Sequence, residues 1–184
     1  MPLVVHVPAS SANLGPGFDC LGLSLDLDLR VQAEPSEHDR FVYRGDGRVV
    51  PDDDNLVHRG FRAAVAANGA APIPVRLTAD NPIPLARGLG SSSAALVAGA
   101  LLGDAVAGGA LGLDGVFQLT ADLEGHPDNV APAIYGGLTV SARSEGAWLT
   151  RVLPWPPSWH LLFGVPDNEL ATEAARAVLP REID

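Results

Sequence analysis

Residues suited to binding a ligand are concentrated in a glycine- and serine-rich segment, residues 84–93. This segment lies between a strand pattern and a long Ala-rich helix pattern. Gly88 and Gly90 permit a ligand to approach the backbone closely. The three consecutive serines that follow supply hydroxyls at a helix start, where unpaired N–H groups and the positive end of the helix dipole attract anions. The combination predicts a polyphosphate site that works without lysine. The alternative is an ordinary glycine–serine turn with a serine cap.

A second cluster, residues 124–129, brings two carboxylates, an imidazole and a carboxamide together: Glu124, His126, Asp128 and Asn129. Oxygen donors of this kind suit Mg²⁺, which usually takes one or two protein carboxylates beside substrate phosphates. The spacing does not match a zinc signature. The alternative is structural, with Asp128 as a helix cap and Glu124 at a solvated helix end.

A third group of polar side chains lies in the loop of residues 8–19, where Ser10, Ser11, Asn13 and Asp19 stand among glycine and proline. Loops held between strands often carry binding groups. The alternative here is a structural Ω-like turn.

The composition excludes several classes of function. All twelve basic residues of the 184-residue chain are Arg, and the absence of Lys removes the Walker phosphate loop and Schiff-base chemistry. A net charge of −10 argues against nucleic acid or an anionic membrane as a partner. The single Cys20 cannot form an intrachain disulfide. The chain opens without a basic leader, and its most apolar stretch, residues 94–113, contains Asp104, so we expect a core helix and a cytoplasmic location.

Periodicity and cap residues predict the elements that position these groups. Alternating apolar residues from Leu21 to Val31 predict a long strand with one buried face. A helix capped by Asp54 or Asn55 is predicted to end at Asn68-Gly69. Further predicted elements are strands at residues 3–7, 41–43, 48–50, 75–78, 138–141 and 148–153, the Ala-rich helix after Ser93, and helices from Asp114 to Glu124 and from Asp128 to Ile134. Hairpins at residues 41–50 and 138–153 predict a mixed sheet, so the fold class is α+β.

A proline-rich stretch, residues 154–157, marks a predicted domain boundary. The strand and helix predicted beyond it, at residues 160–165 and 172–179, are too little chain to close a core. We therefore expect one domain at residues 1–153 and the incomplete start of a second at residues 154–184.

The three chemical segments, in this order, resemble the GHMP small-molecule kinases and, within that superfamily, the homoserine kinase family. The resemblance is carried by residues 7–19, 84–94 and 124–132, and the stretch 165–180 resembles the same family. It implies a ribosomal protein S5 domain 2-like fold with a left-handed crossover, followed by a ferredoxin-like C-terminal domain that is truncated here. It also implies the cofactors ATP and Mg²⁺ and phosphorylation of L-homoserine in threonine biosynthesis.

The resemblance also implies roles for individual residues. The residues expected to contact ATP are Asn55, Pro84, Arg87, Gly88, Leu89, Gly90, Ser91, Ser92 and Ser93. Ser92 and Glu124 would hold Mg²⁺, and Asp128 would hold the attacking hydroxyl, so that Asp128 and Glu124 form the catalytic set. The residues expected to contact homoserine are Asn13, Asp19, His126, Asn129 and Arg176. Two alternative functions stay open: a GHMP kinase for another small alcohol and an ATP-binding fragment without turnover. Self-association as a homodimer also stays open.

Overall fold

The computed structural model describes residues 2–47, 49 and 55–166. Its strands are β1 (Leu3–Ala12), β2 (Leu21–Pro35), β3 (Arg40–Gly45), β4 (Val75–Asn81), β5 (Leu138–Ser144) and β6 (Ala147–Leu153). Its helices are α1 (Leu56–Ala67), α2 (Ser91–Val106), α3 (Gly112–Glu124) and α4 (Val130–Tyr135). The predicted elements within the described residues are therefore present, except for the strand at residues 160–165 discussed below.

The long strand β2 organises a mixed six-stranded sheet. β1 runs antiparallel along one edge of it, and β4 and β5 pair with its two ends on the other edge. Leu23, Leu29 and Val31 are buried on the predicted apolar face, so the alternation in the sequence identified the core side of β2 correctly. The predicted pairing of β5 with β6 is also confirmed.

The β3 strand pairs with β4 in parallel, with α1 as the connection between them. The hairpin predicted from Gly45-Asp46-Gly47 has its second strand at residues 48–50, which lie outside the described residues apart from Val49. Sequence pattern alone did not indicate the parallel pairing, because a strand's partner is chosen by contacts distant in sequence.

The helices α1 and α2 cross closely enough for backbone to touch backbone. A Cβ atom on Gly60 would overlap the carbonyl oxygen of Leu96, and one on Gly99 would overlap that of Val57. The helix α2 also packs against β1 and β2, and its buried side chains belong to the hydrophobic core.

Two predicted helix starts are wrong in detail. α3 begins at Gly112, so Asp114 lies in its first turn, and the N–H groups of Leu111 and Gly112 donate to the Asp104 carboxylate on α2. α4 begins at Val130 after Asn129, which leaves Asp128 outside the helix. The Asp104 contact fixes the start of α3, and at α4 the residue before the helix, Asn129, makes no side-chain cap bond.

The strand predicted at residues 160–165 is not formed. These residues have no regular structure, because a strand persists only when its backbone is paired and no pairing includes them in the described part of the chain. The helix predicted at residues 172–179 lies outside the described residues, and the domain boundary stays a prediction. No helix in the described part of the chain is both long and apolar enough to cross a bilayer.

Candidate active site

A cavity of about 780 Å³ opens at the N-terminal end of α2. It brings together most of the predicted site residues from all three segments: Asn13, Asn55, Pro84, Arg87, Gly88, Leu89, Gly90, Ser91, Ser92, Glu124, His126 and Asn129. Ser93, Asp19 and Asp128 are not among its lining residues, and Arg176 lies outside the described residues. Segments more than a hundred residues apart in the sequence therefore meet at one helix start.

The loop before α2 is shaped to leave that helix start accessible. Gly90 occupies the cap position with φ +66° and no side-chain cap bonds the first turn, so the amide groups of that turn remain available to a ligand. A Cβ on Gly90 would also overlap Ser10 Oγ and come within 2.9 Å of Asn129 Oδ1. Among the described residues that line the cavity, Arg87 alone carries a full positive charge. An anion bound here would thus be held mainly by backbone dipoles.

Glu124 connects the end of α3 to the start of α2. Its Oε1 accepts hydrogen bonds from the hydroxyls of both Ser92 and Ser93, each at 2.9 Å. Ser92 is exposed toward the cavity, whereas Ser93 is fully buried. The helix α3 stops at Gly125, which has φ +88°, and this turn leaves the Glu124 side chain against α2. The carboxylate and the Ser92 hydroxyl offer oxygen donors suited to a small divalent cation.

The Asp128 side chain is fully buried and is held by its neighbours. Its Oδ1 lies 2.6 Å from His126 Nδ1 and accepts the Asn129 N–H at 2.9 Å. Its Oδ2 has no hydrogen-bond partner in the part of the chain that the structure describes. A Cβ on Gly22 in β2 would overlap the Asp128 carbonyl oxygen, so a glycine there lets this segment lie directly against the sheet.

The loop after β1 closes the same corner of the site. Asn13 and Asp19 both have positive φ, +69° and +54°, and the Asp19 N–H donates to Asn13 Oδ1 at 3.1 Å. Potential ligand atoms of Asp19, His126 and Asp128 lie within 4.8 Å of one another. The Asn13 side chain thus holds the loop, and the Asp19 carboxylate lies close to the His126 imidazole.

Apolar side chains also line the cavity, among them Phe41, Leu56 and Val57. Asn55, the chain neighbour of Leu56, lines the cavity too and caps α1 by accepting the His58 N–H at 3.0 Å. Its Nδ2 lies 2.9 Å from His58 Nδ1. The predicted cap is confirmed, and the predicted contact of Asn55 with a nucleotide base stays a prediction.

Three further side chains support this site: Ser10, which the sequence placed in a candidate binding loop, and Tyr43 and Asn81, which had no predicted role. Asn81 ends β4, and its Nδ2 donates to Ser91 Oγ at 3.2 Å and to the Tyr43 hydroxyl at 3.3 Å. Ser10 donates to Asn129 Oδ1 at 2.9 Å. A polar residue at a strand end just before the glycine loop was the available signal for Asn81; nothing in the sequence pairs Ser10 with Asn129.

Comparisons with known proteins agree with this geometry. Residues 55–137 match the family described as GHMP kinases N terminal domain. This segment is a GHMP kinase N-terminal domain. The strands and helices of the chain form the expected α+β fold with a mixed sheet, and the matched segment contains β4, the four helices, the loop before α2, Glu124 and Asp128.

The wider chain is similar to proteins named homoserine kinase, which confirms the resemblance stated above. It is 54% identical over 179 residues to the homoserine kinase of Thermus thermophilus, covering 97% of this chain and 60% of that protein. It is 46% identical over 187 residues to that of Moorella thermoacetica, covering 100% of this chain and 62% of the relative. The chain therefore spans about 60% of the length of the curated relatives it matches.

Solved structures give the same result for the fold of the GHMP kinase domain. The homoserine kinase of Cytophaga hutchinsonii superposes with a TM-score of 0.82 at 26% identity, covering 100% of this chain and 61% of that one. The mevalonate kinase of Methanococcus jannaschii gives a TM-score of 0.65 at 11% identity, over 84% of this chain and 56% of that one, and shows the fold alone.

Proposed function

We propose that this chain is the ATP-binding part of a homoserine kinase, which transfers the γ-phosphoryl group of ATP to the side-chain hydroxyl of L-homoserine in threonine biosynthesis. One observation carries the proposal: three segments distant in sequence line a single cavity at the N-terminus of α2. In this proposal residues 1–153 are the S5-like domain, and residues 154–184 begin a ferredoxin-like second domain.

The cavity suits ATP in shape and in charge. Its apolar lining residues would contact the base, with Asn55 beside it, and the triphosphate would lie along residues 87–92 against the first turn of α2. Gly90 lets the loop pack directly against Ser10 and Asn129 there, because a Cβ at this position would overlap Ser10 Oγ. Because only Arg87 adds a positive charge among the described lining residues, the amides of the loop would supply most of the stabilisation of the phosphates.

The donor set also fits Mg²⁺. Ser92 and Glu124 would hold the ion, since their oxygens already converge at the helix start. Bound there, it would neutralise charge on the phosphates. Ser93, whose buried hydroxyl donates to the same Glu124 oxygen, would keep the carboxylate oriented.

The other corner of the cavity would receive the amino acid. Asn13 and Asp19 suit the ammonium group, whereas Arg176 is proposed for the carboxylate, for which a guanidinium gives bidentate pairing. His126 and Asn129 line this corner, and Asp128 lies directly behind His126. We propose that these groups orient the hydroxyl that attacks the γ-phosphorus, while the bond to the ADP oxygen breaks and the hydroxyl proton is released.

The decisive experiment is phosphorylation of L-homoserine by the purified chain with ATP and Mg²⁺, followed by ADP release and by phosphorus NMR of the product. Asp19→Asn tests the amino-acid corner, because Asn tolerates the positive φ of this position and removes only the charge. We expect the KM for homoserine to rise at least about tenfold, with the KM for ATP unchanged. Asp26→Asn, on an exposed strand position, is the matched control.

The result also decides between the alternatives. Turnover of mevalonate or of a sugar in preference to homoserine would favour a GHMP kinase for another alcohol, since those substrates offer Asp19 no ammonium group. ATP binding by calorimetry without ADP release would favour a nucleotide-binding fragment without turnover. Absence of ATP binding would contradict the proposal as a whole.

A further inference from the structure

Ser10 joins all three segments of the site but lies outside the cavity. It is fully buried in β1, where the register against β2 shifts between Pro8 and Ala9. Its N–H donates to the Leu89 carbonyl at 3.1 Å, which ties β1 to the loop before α2. Its hydroxyl donates to Asn129 Oδ1 at 2.9 Å. A residue with these contacts can act on a ligand only through its neighbours.

The Ser10 hydroxyl occupies one end of the Asn129 carboxamide, the Oδ1 end. A carboxamide has one accepting end and one donating end, and rotation by half a turn exchanges them. Because Oδ1 is held by the Ser10 hydroxyl close to Gly90, the Nδ2 end is left for the cavity that Asn129 lines. The backbone N–H of Asn129 is held separately by Asp128 Oδ1 at 2.9 Å, so the whole residue has a defined position.

At an anion site it matters which end of the Asn129 carboxamide faces the cavity. An N–H donor attracts a phosphate oxygen, whereas a carbonyl oxygen in the same place repels it. Asn129 Oδ1 is the atom that a Cβ on Gly90 would approach at 2.9 Å, so the carboxamide lies beside the loop expected to hold the terminal phosphates.

We propose that Ser10 is a positioning residue, whose buried hydroxyl turns the Asn129 carboxamide so that its N–H groups face the γ-phosphate of ATP. The proposal rests on the proposed function for the identity of the ligand. The proposal predicts that loss of the Ser10 hydroxyl weakens the binding of ATP more than that of ADP, because ADP lacks the γ-phosphate that the Asn129 carboxamide would contact.

The test compares the parent chain with Ser10→Ala and with Ser11→Ala, which removes the hydroxyl of the next strand residue. Affinities for ATP and ADP, each with Mg²⁺, are measured by calorimetry. Ser10→Ala is expected to weaken ATP binding about tenfold, with ADP affinity within about twofold of the parent. Ser11→Ala is expected to resemble the parent for both nucleotides. Equal losses for ATP and ADP in Ser10→Ala would indicate a merely structural role and overturn the proposal.

A double-mutant cycle tests whether Ser10 acts through Asn129. In an Asn129→Ala background, Ser10→Ala should change ATP affinity by less than about twofold, since the group it orients is gone. A full additional loss in that background would overturn the proposal. Thermal unfolding of each variant identifies any that fails to fold.

A measurement without ligand separates this inference from the proposed function. The side-chain NH₂ signal of Asn129, identified by its disappearance in Asn129→Ala, should show a rigid amide in the parent and in Ser11→Ala but a mobile one in Ser10→Ala. Unchanged rigidity in Ser10→Ala would overturn the positioning role even if ATP binds. A rigid amide released by Ser10→Ala in a chain that binds no ATP would support the contact and contradict the proposed function.

Discussion

Replacing Gly90 with Ala tests the shape of the loop at the start of α2. Gly90 has φ +66°, a conformation that costs an L-residue about 1–2 kcal/mol. The new Cβ would in addition overlap Ser10 Oγ and lie 2.9 Å from Asn129 Oδ1, and overpacking of this kind costs about 1–3 kcal/mol. We therefore expect Gly90→Ala to lower the free energy of unfolding by about 2–5 kcal/mol.

Gly69 provides a matched control for the backbone part of this effect. It has φ +72°, and a Cβ there would meet nothing within 4 Å. Gly69→Ala should therefore lose only about 1–2 kcal/mol in urea unfolding, and its affinity for ATP should equal that of the parent. Gly90→Ala should bind ATP at least about tenfold more weakly, because the displaced Ser10 and Asn129 border the loop that would hold the phosphates. Equal loss of stability in the two variants, or normal ATP binding by Gly90→Ala, would refute the steric reasoning.

Three further predictions concern single groups. Ser92→Ala and Glu124→Gln should each weaken ATP binding at least about tenfold in the presence of Mg²⁺ and little in its absence, as measured by calorimetry with and without the ion. Asp128→Asn should lower kcat far more than it raises the KM for ATP; an unchanged kcat in steady-state assays would remove Asp128 from the chemistry. Burial raises the pKa of Asp39, but the hydrogen bond and charge of Arg62 and a backbone N–H outweigh burial, so its pKa lies below the ordinary 3.8. The carboxylate therefore stabilises the fold above its ordinary pKa, and the loss of stability in Arg62→Leu should shrink as the pH falls below about 4 in urea unfolding; a loss independent of pH would contradict this.

Features fixed by neighbours in sequence were predictable. The alternation along β2 identified its buried face because successive strand side chains point to opposite sides of a sheet. Asn55 and Gly125 identified the start of α1 and the end of α3 because a side-chain acceptor and a left-handed residue satisfy helix termini locally. The convergence of the three chemical segments was expected from the family resemblance and not from periodicity.

Features fixed by contacts between different elements were not predictable. The start of α3 depends on Asp104, which the sequence presented only as a charge in an apolar helix. The parallel pairing of β3 with β4 joins residues 36 positions apart, and the contact of Ser10 with Asn129 joins residues 119 positions apart. The apolar residues at 160–165 predicted a strand, yet no strand forms there, since an apolar run does not supply a paired neighbour.

The three consecutive serines show why residue type alone does not assign roles at this site. Successive residues of a helix advance by about 100°, so Ser91, Ser92 and Ser93 must face three directions. Ser91 accepts from Asn81, Ser92 is exposed toward the cavity, and Ser93 is fully buried. Ser92 and Ser93 nevertheless reach the same oxygen of Glu124 from two sides. Which hydroxyl could meet a ligand is therefore decided by the residue at which α2 begins. Gly90 sets that residue because its left-handed backbone, with φ +66°, is not helical, and the space beside it admits no side chain.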